Sequence, residues 1–145
     1  MSKTSMKRCG TLMSFAFAAC SALIGCGGTL HYDVQGSGQA TGADVKMSAD
    51  VSEETSMTRI NIKAAHLPPP ERLEQSGTAF VVWTRPSDGP WQRVGALNYD
   101  KDERSGELLA ASVPLVAFEL MVTAEKAAAP MVPSTAIVAS QHVAP

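Results

Sequence analysis

The feature that most constrains the fold of this chain is a two-residue alternation of apolar and polar side chains. Between Ala43 and Val51, every second residue is apolar or small, and the residues between them are Asp, Lys or Ser. The same period recurs between Arg59 and Ala64. A period of two is typical of a β-strand with one buried face and does not fit an amphipathic helix. Both segments therefore predict half-buried strands.

Turn signals separate the apolar segments at short intervals. The run Leu67-Pro68-Pro69-Pro70 stops one segment, because proline cannot donate to a sheet ladder. Pro86-Ser87-Asp88-Gly89-Pro90 predicts a turn before the hairpin partner Trp91 to Asn98. About eight short strands with turns every 8–12 residues are typical of a sandwich or a barrel. We therefore predict an all-β fold, a single immunoglobulin-like β-sandwich of about seven to eight antiparallel strands.

Two segments differ from simple alternation. Gly77 to Arg85 is almost continuously apolar or β-branched, which predicts a central strand covered on both faces. Glu119 to Ala129 contains good helix formers, so a helix is the alternative there. Val122 and Thr123 favour a strand. We predict the last strand between Thr135 and Val143, after an Ala- and Pro-rich loop.

The N-terminus is built like an export signal. Lys3, Lys7 and Arg8 form a short basic start, and Leu12 to Ile24 is an apolar run without charge. The run is shorter than the roughly 20 apolar residues that a permanent membrane helix needs. The sequence therefore predicts a cleaved signal helix ahead of the β domain.

The end of that run, Leu23-Ile24-Gly25-Cys26, resembles the lipobox of bacterial lipoproteins. The resemblance implies cleavage between Gly25 and Cys26 and lipidation of Cys26. It divides the chain into a signal peptide (1–25), a lipidated cysteine with a short tether (26–29) and a β-sandwich domain (30–145). Cys20 is the rival site, but Phe17 replaces the usual leucine before it. A plain secretory signal is the other alternative.

Composition and cysteine usage exclude several classes of function. Without its leader the chain has nine basic and 14 acidic residues, and this acidic balance opposes binding to nucleic acid. Cys9 and Cys20 lie before the proposed cleavage site, and Cys26 lies directly at it. The β-sandwich domain itself therefore has no cysteine. It can form no disulfide and has no cysteine nucleophile or thiolate metal site.

Several side chains are candidates for binding or chemistry. Thioether and imidazole ligands suit copper, and the candidate set is His31, His66, His142, Met47, Met57, Met121 and Met131. Asp100, Asp102 and Glu103 crowd one turn, but Arg104 occupies the third ligand position of a calcium loop, so a solvated hairpin turn is favoured. Of the two tryptophans, Trp83 is predicted in the core, and Trp91 is the candidate for a binding surface.

The second half of the chain resembles the extracytoplasmic C-terminal domain of anti-sigma-K factors over residues 60–140. The matching segments include Phe80-Val81-Val82-Trp83, Gly106-Glu107-Leu108 and Val122-Thr123-Ala124-Glu125. Anti-sigma factors of that family carry a sigma-binding domain before a full membrane helix, whereas here only a short basic segment precedes the apolar run. The resemblance therefore implies the fold and the extracytoplasmic setting, and not the signalling activity.

Together these features predict a membrane-anchored lipoprotein of the cell envelope that acts as a non-catalytic binding or structural module. We expect no cofactor, and a protein partner in the envelope that the sequence does not name. In Gram-negative lipoproteins, an aspartate after the lipidated cysteine is associated with retention in the inner membrane. Here that position is Gly27, which favours the outer membrane. The alternative function is a periplasmic carrier of a small ligand or copper. A hydrolase is a third hypothesis, for which no nucleophile motif is present.

Overall fold

A computed structural model describes residues 28–145, and nearly all of its regular structure is strand. The nine strands of this region are β1 (Thr29–Gln35), β2 (Asp44–Ser52), β3 (Met57–Ala65), β4 (Ala79–Arg85), β5 (Gln92–Ala96), β6 (Asn98–Asp100), β7 (Ser105–Val113), β8 (Phe118–Glu125) and β9 (Ile137–Val143). One helical turn, α1 (Pro70–Leu73), and a 3-10 turn (Gly38–Ala40) interrupt them. The all-β prediction is confirmed.

The strands form two antiparallel sheets. The first sheet has the order β1-β2-β3-β7-β6 and the second has the order β5-β4-β8-β9. Without β1, this order is that of an immunoglobulin-like sandwich, in which strands A-B-E-D face strands C′-C-F-G. β1 is an additional strand on the edge formed by β2. Its first residue is Thr29, the last residue of the predicted tether, and the Thr29 hydroxyl donates to Asp50 Oδ1 at 2.6 Å.

One predicted strand proves to be two. The segment Trp91 to Asn98 contains β5 in the second sheet and the start of β6 in the first sheet. The switch occurs at the buried Leu97, whose N–H donates to the carbonyl of Phe80 on β4. The next residue, Asn98, pairs with Glu107 on β7. The chain crosses between the sheets here without a loop, which explains why the structure has more strands than the sequence predicted.

The main core lies between the two sheets. From the first sheet it takes the apolar residues of the alternating strands, including Val45, Ile60 and Ile62. From the second sheet it takes Phe80 and Phe118, both fully buried. The alternation seen in the sequence thus points its apolar half toward this core, as a period of two requires.

A smaller apolar cluster lies on the opposite face of the second sheet. It consists of Val81, Trp83 and Met121, with Trp91 and Ala96 packed against it. Val81 and Trp83 alternate with Phe80 and Val82 along β4, so they point away from the main core. β4 therefore lies inside the second sheet and is buried on both faces, as predicted. β8 beside it is a strand through Glu125, and the helix alternative is excluded there.

Candidate functional site

The two ends of the sandwich carry different segments. The end where β1 begins, here named the anchor end, also contains the turn 53–56, the segment 86–91 and the connector 114–117. The short connector joins β7 of the first sheet to β8 of the second, and the Thr58 hydroxyl donates to the Leu115 carbonyl at 2.6 Å. The opposite end, here named the far end, contains the loops 36–43, 66–78, 101–104 and 126–136.

Trp91 lies at the anchor end, immediately before β5, and its side chain is half-buried. It packs on the cluster of Val81, Trp83 and Met121, and the Arg85 guanidinium carbon lies 4.5 Å from the centroid of its ring. This is the geometry of a cation–π contact. Trp91 thus combines an attachment to the outer face of the second sheet with a remaining exposed surface.

Arg85 ends β4 at the same place. Its Nε is buried, and among residues 28–145 it has no hydrogen-bond acceptor. Glu119 lies opposite Arg85 in the β4–β8 register, but the Glu119 carboxylate contacts His142 Nδ1 at 2.8 Å. Within the described chain no carboxylate lies within salt-bridge distance of Arg85. Among residues 28–145 the guanidinium therefore packs on Trp91 and keeps donors without partners.

A buried polar network organises the far end. Trp83 Nε1 donates to Thr123 Oγ1 at 2.9 Å, and the Thr123 hydroxyl donates to Glu125 Oε1. The same carboxylate oxygen accepts the N–H of Ser134 at 2.7 Å, although Glu125 is only 4 % exposed. Ser134 Oγ in turn donates to the Ala124 carbonyl. A buried carboxylate must be compensated by hydrogen bonds, and here the compensation pins the loop 126–136 to the second sheet.

This pinned loop presents apolar side chains to solvent. Met131 is 92 % exposed and Val132 is 71 % exposed. Ile137, at the start of β9, is also exposed and lines a depression of about 370 Å³ with Leu73 and Gln39. Exposed large apolar residues grouped in one loop mark interaction surfaces more often than isolated ones do. The Ala- and Pro-rich composition of this segment predicts an extended loop and does not indicate its exposed apolar surface.

The copper candidates are distributed over the molecule. His66 Nδ1 contacts Asp44 Oδ2 at 2.9 Å on the first sheet, whereas His142 contacts Glu119 on the second. Met47 belongs to the main core, Met121 to the outer cluster, and Met131 to the exposed loop. Within the described part of the chain there is no group of three His, Cys, Asp or Glu side chains that would hold a metal ion. The copper-carrier hypothesis stays a prediction, and metal analysis of the purified protein tests it.

The acidic turn adopts a hairpin geometry between β6 and β7. Asp100 Oδ1 accepts the N–H groups of both Asp102 and Glu103 at 2.9 Å. This carboxylate therefore satisfies the turn backbone itself. Residues 101–104 are exposed, as expected of a solvated turn.

Asp44 is a carboxylate whose pKa is lowered by its neighbours. The hydrogen bond from Gln35 Nε2, at 2.7 Å, and then the contact with His66 hold the pKa of Asp44 below its usual value of 3.8. Hydrogen bonds to the charged form of a carboxyl favour that form. The Asp44 side chain is partly exposed, and its contacts tie the end of β1 and the residue after β3 to the start of β2.

The predicted lipidation and cleavage positions, Cys26 and Gly25, lie outside the described residues, as do Cys9 and Cys20. Within residues 28–145, no helix has the length and apolar character needed to cross a membrane. No protein-family model, characterised protein or solved structure matches the chain.

Proposed function

We propose that the protein is a lipid-anchored module of the cell envelope that binds a protein partner without catalysis. The observation that carries the proposal is the position of Thr29, the first residue of β1, only three residues after Cys26. Three residues span at most about 10 Å. A lipid on Cys26 would therefore hold the anchor end of the sandwich close to the bilayer.

β1 makes this attachment firm. All seven residues of β1 pair with β2, from Thr29 opposite Asp50 to Gln35 opposite Asp44. Because the tether passes directly into a paired strand, an anchor on Cys26 would restrict how the whole domain is oriented relative to the membrane. The nine-residue strands β2 and β3 span about 30 Å, which is the distance from the anchor end to the far end.

The far end supplies the proposed partner surface. Its loop 126–136 displays Met131 and Val132, and the Glu125 network fixes that loop before any partner arrives. Prior fixation lowers the ordering entropy that a flexible loop loses on binding. The resemblance to extracytoplasmic anti-sigma domains supports the extracytoplasmic setting of this proposal.

The anchor is tested by replacing Cys26. Cys26→Ser should release the protein from membranes or leave it unprocessed, because the acyl chains that the lipobox resemblance implies would be lost. Cys20→Ser is the matched control and should fractionate like the unaltered protein. If Cys26→Ser fractionates and migrates like the unaltered protein, the lipid anchor is refuted.

The partner surface is tested by photocrosslinking in cells. A photoreactive residue at Met131 should give a discrete crosslinked species, whereas the same residue at Lys46, on the exposed face of the first sheet, should give none. Equal crosslinking at both positions, or at neither, would contradict a partner surface at the far end.

A further inference from the structure

The anchor end holds a pair of side chains that the proposed partner surface does not use. Arg85 and Trp91 stack at 4.5 Å, at the same end of the sandwich as Thr29. We propose that this pair is a second, weak contact with the bilayer, in which Arg85 donates to a phospholipid phosphate and Trp91 enters the headgroup layer. The inference rests on the lipid anchor proposed above.

The chemistry of the pair fits phosphate at a membrane surface. Arginine presents a planar set of N–H donors that matches phosphate oxygens. The terminal nitrogens of the Arg85 guanidinium have donors to offer, because no carboxylate of residues 28–145 forms a salt bridge with them, whereas Nε is buried and does not reach a ligand outside the protein. Tryptophan prefers the interface between headgroups and acyl chains, where its ring is half in an apolar and half in a polar environment.

The position of the pair allows the contact. β4 ends at Arg85 and β5 begins at Gln92, so the segment 86–91 projects from the second sheet at the anchor end. This segment contains Pro86 and Pro90, and its Gly89 N–H donates to the Pro86 carbonyl at 3.0 Å. A turn of this kind holds Trp91 at a fixed place beside β5. Because Cys26 precedes Thr29 by three residues, the lipid would bring this end of the domain to the headgroups.

Charge explains why the contact needs the anchor. Glu53 and Glu54 are exposed in the turn at the same end, and Asp88 is exposed in the segment 86–91. These carboxylates oppose approach to an anionic bilayer. A single arginine–phosphate contact does not outweigh that repulsion in free solution. On a lipidated protein the anchor already holds this end of the domain at the bilayer. The effective concentration of phosphate around Arg85 is then high, which makes the weak contact significant.

The experiment uses the full lipidated protein reconstituted into phosphatidylethanolamine–phosphatidylglycerol vesicles with brominated acyl chains. Bromine quenches tryptophan emission only at short range, so Trp91 should be quenched. The Trp91→Phe variant retains only the buried Trp83 and should show no quenching. Arg85→Gln should lower the quenching of Trp91 at least about twofold, because the headgroup contact is lost. Arg93→Gln is the matched control, since Arg93 is exposed on β5, and should leave the quenching unchanged.

Each contrary outcome has its own meaning. If Trp91 is not quenched in protein that floats with the vesicles, or if Arg85→Gln and Arg93→Gln behave alike, the bilayer contact is refuted while the anchor stands. If the protein does not float with the vesicles, the anchor itself fails and the contact fails with it. Inorganic phosphate added to protein in detergent should leave Trp91 emission unchanged, and a saturable change would reassign the site to a soluble anion. Circular dichroism of every variant verifies that the fold is retained.

Discussion

The two sheets of this sandwich have the same strand geometry but differ in whether their outer face is exposed to solvent. The first sheet exposes its outer face, where Lys46 and Lys63 stand opposite each other on β2 and β3. The second sheet covers its outer face, and Trp83 is fully buried there. Antiparallel sheets commonly leave one face to solvent, so the second sheet needs additional segments to cover it. These segments include Trp91 with Arg85 at the anchor end and the loop 126–136 at the far end, which are the candidate functional regions.

The largest expected effect compares the two apolar clusters. Phe118→Ala removes a buried ring from the core between the sheets and should lower the free energy of unfolding by about 3–5 kcal/mol. Trp83→Ala should cost a similar amount if the outer face of the second sheet is a core of its own. Urea unfolding followed by circular dichroism measures both. Lys46→Ala, on the exposed face of the first sheet, is the control and should stay within about 0.5 kcal/mol.

Trp91→Ala belongs to the same series and should cost far less than Phe118→Ala, because Trp91 is only half-buried. If Trp91→Ala unfolds the domain while Phe118→Ala has no effect, the assignment of Phe118 to the main core is wrong. The same result would also contradict a surface role for Trp91.

The next effect concerns the network that attaches the covering loop. Glu125→Ala leaves the Ser134 N–H and the Thr123 hydroxyl without their acceptor, which should cost about 1–3 kcal/mol. The loop 126–136 should then become sensitive to protease, since its tie to β8 is broken. Glu125→Gln keeps an acceptor oxygen and should cost less. An equal loss of unfolding free energy in the two variants would show that the carboxylate charge of Glu125, and not its acceptor oxygen, holds the loop.

A smaller effect is expected at the bulge in β7. Two residues of β7, Leu109 and Ala110, lie opposite Asn61 of β3, and Ala110 has φ +54°. The Asn61 carboxamide accepts the Ala110 N–H at 2.8 Å. Glycine adopts this left-handed conformation without the steric cost that alanine bears, so Ala110→Gly should stabilise the domain by roughly 0.5–1 kcal/mol. Ala111→Gly is the control and should destabilise it by a similar amount, because Ala111 is paired with Ile60.

The smallest effect is the pH dependence that Asp44 causes at the start of β2. The folded protein holds the pKa of Asp44 below 3.8, so the stabilisation is complete above that value and is lost as the pH falls through the folded pKa. Asp44→Asn should remove this part of the acid sensitivity in urea unfolding series. Gln35→Ala should reduce it, since the Gln35 hydrogen bond is the largest single cause of the lowered pKa. An unchanged acid profile in both variants would contradict this electrostatic role.

Much of the fold could be predicted from the sequence, because a period of two determines both the strand and its buried face. The strands β2, β3 and β4 follow directly from it. The change of sheet at Leu97 could not be predicted, since Val94-Gly95-Ala96-Leu97 reads as one apolar segment and the pairing partners on β4 and β7 are distant in sequence. The bulge at Ala110 was hidden for a related reason, because alanine is not a residue that indicates positive φ.

The candidate site was less accessible to sequence reasoning. The anchor at Cys26 depends on a local motif and stays a prediction. The Glu125 network joins Trp83, Thr123 and Ser134, which are brought together only by strand pairing and loop return. A glutamate at the end of an apolar strand was the one visible signal of it. The contact of Arg85 with Trp91 spans a turn whose ends are set by the β4–β5 pairing, so the sequence could single out Trp91 but not its partner.

The central claim, that the second sheet is covered on its outer face, is tested most directly by the emission of Trp83. The chain has two tryptophans, so Trp91→Phe leaves Trp83 as the sole emitter. Trp83 is fully buried and donates to Thr123, so its emission should be blue-shifted and resistant to quenching by acrylamide. Red-shifted emission that acrylamide quenches freely, in a variant with intact circular dichroism, would show that this face is open to solvent and would contradict the account.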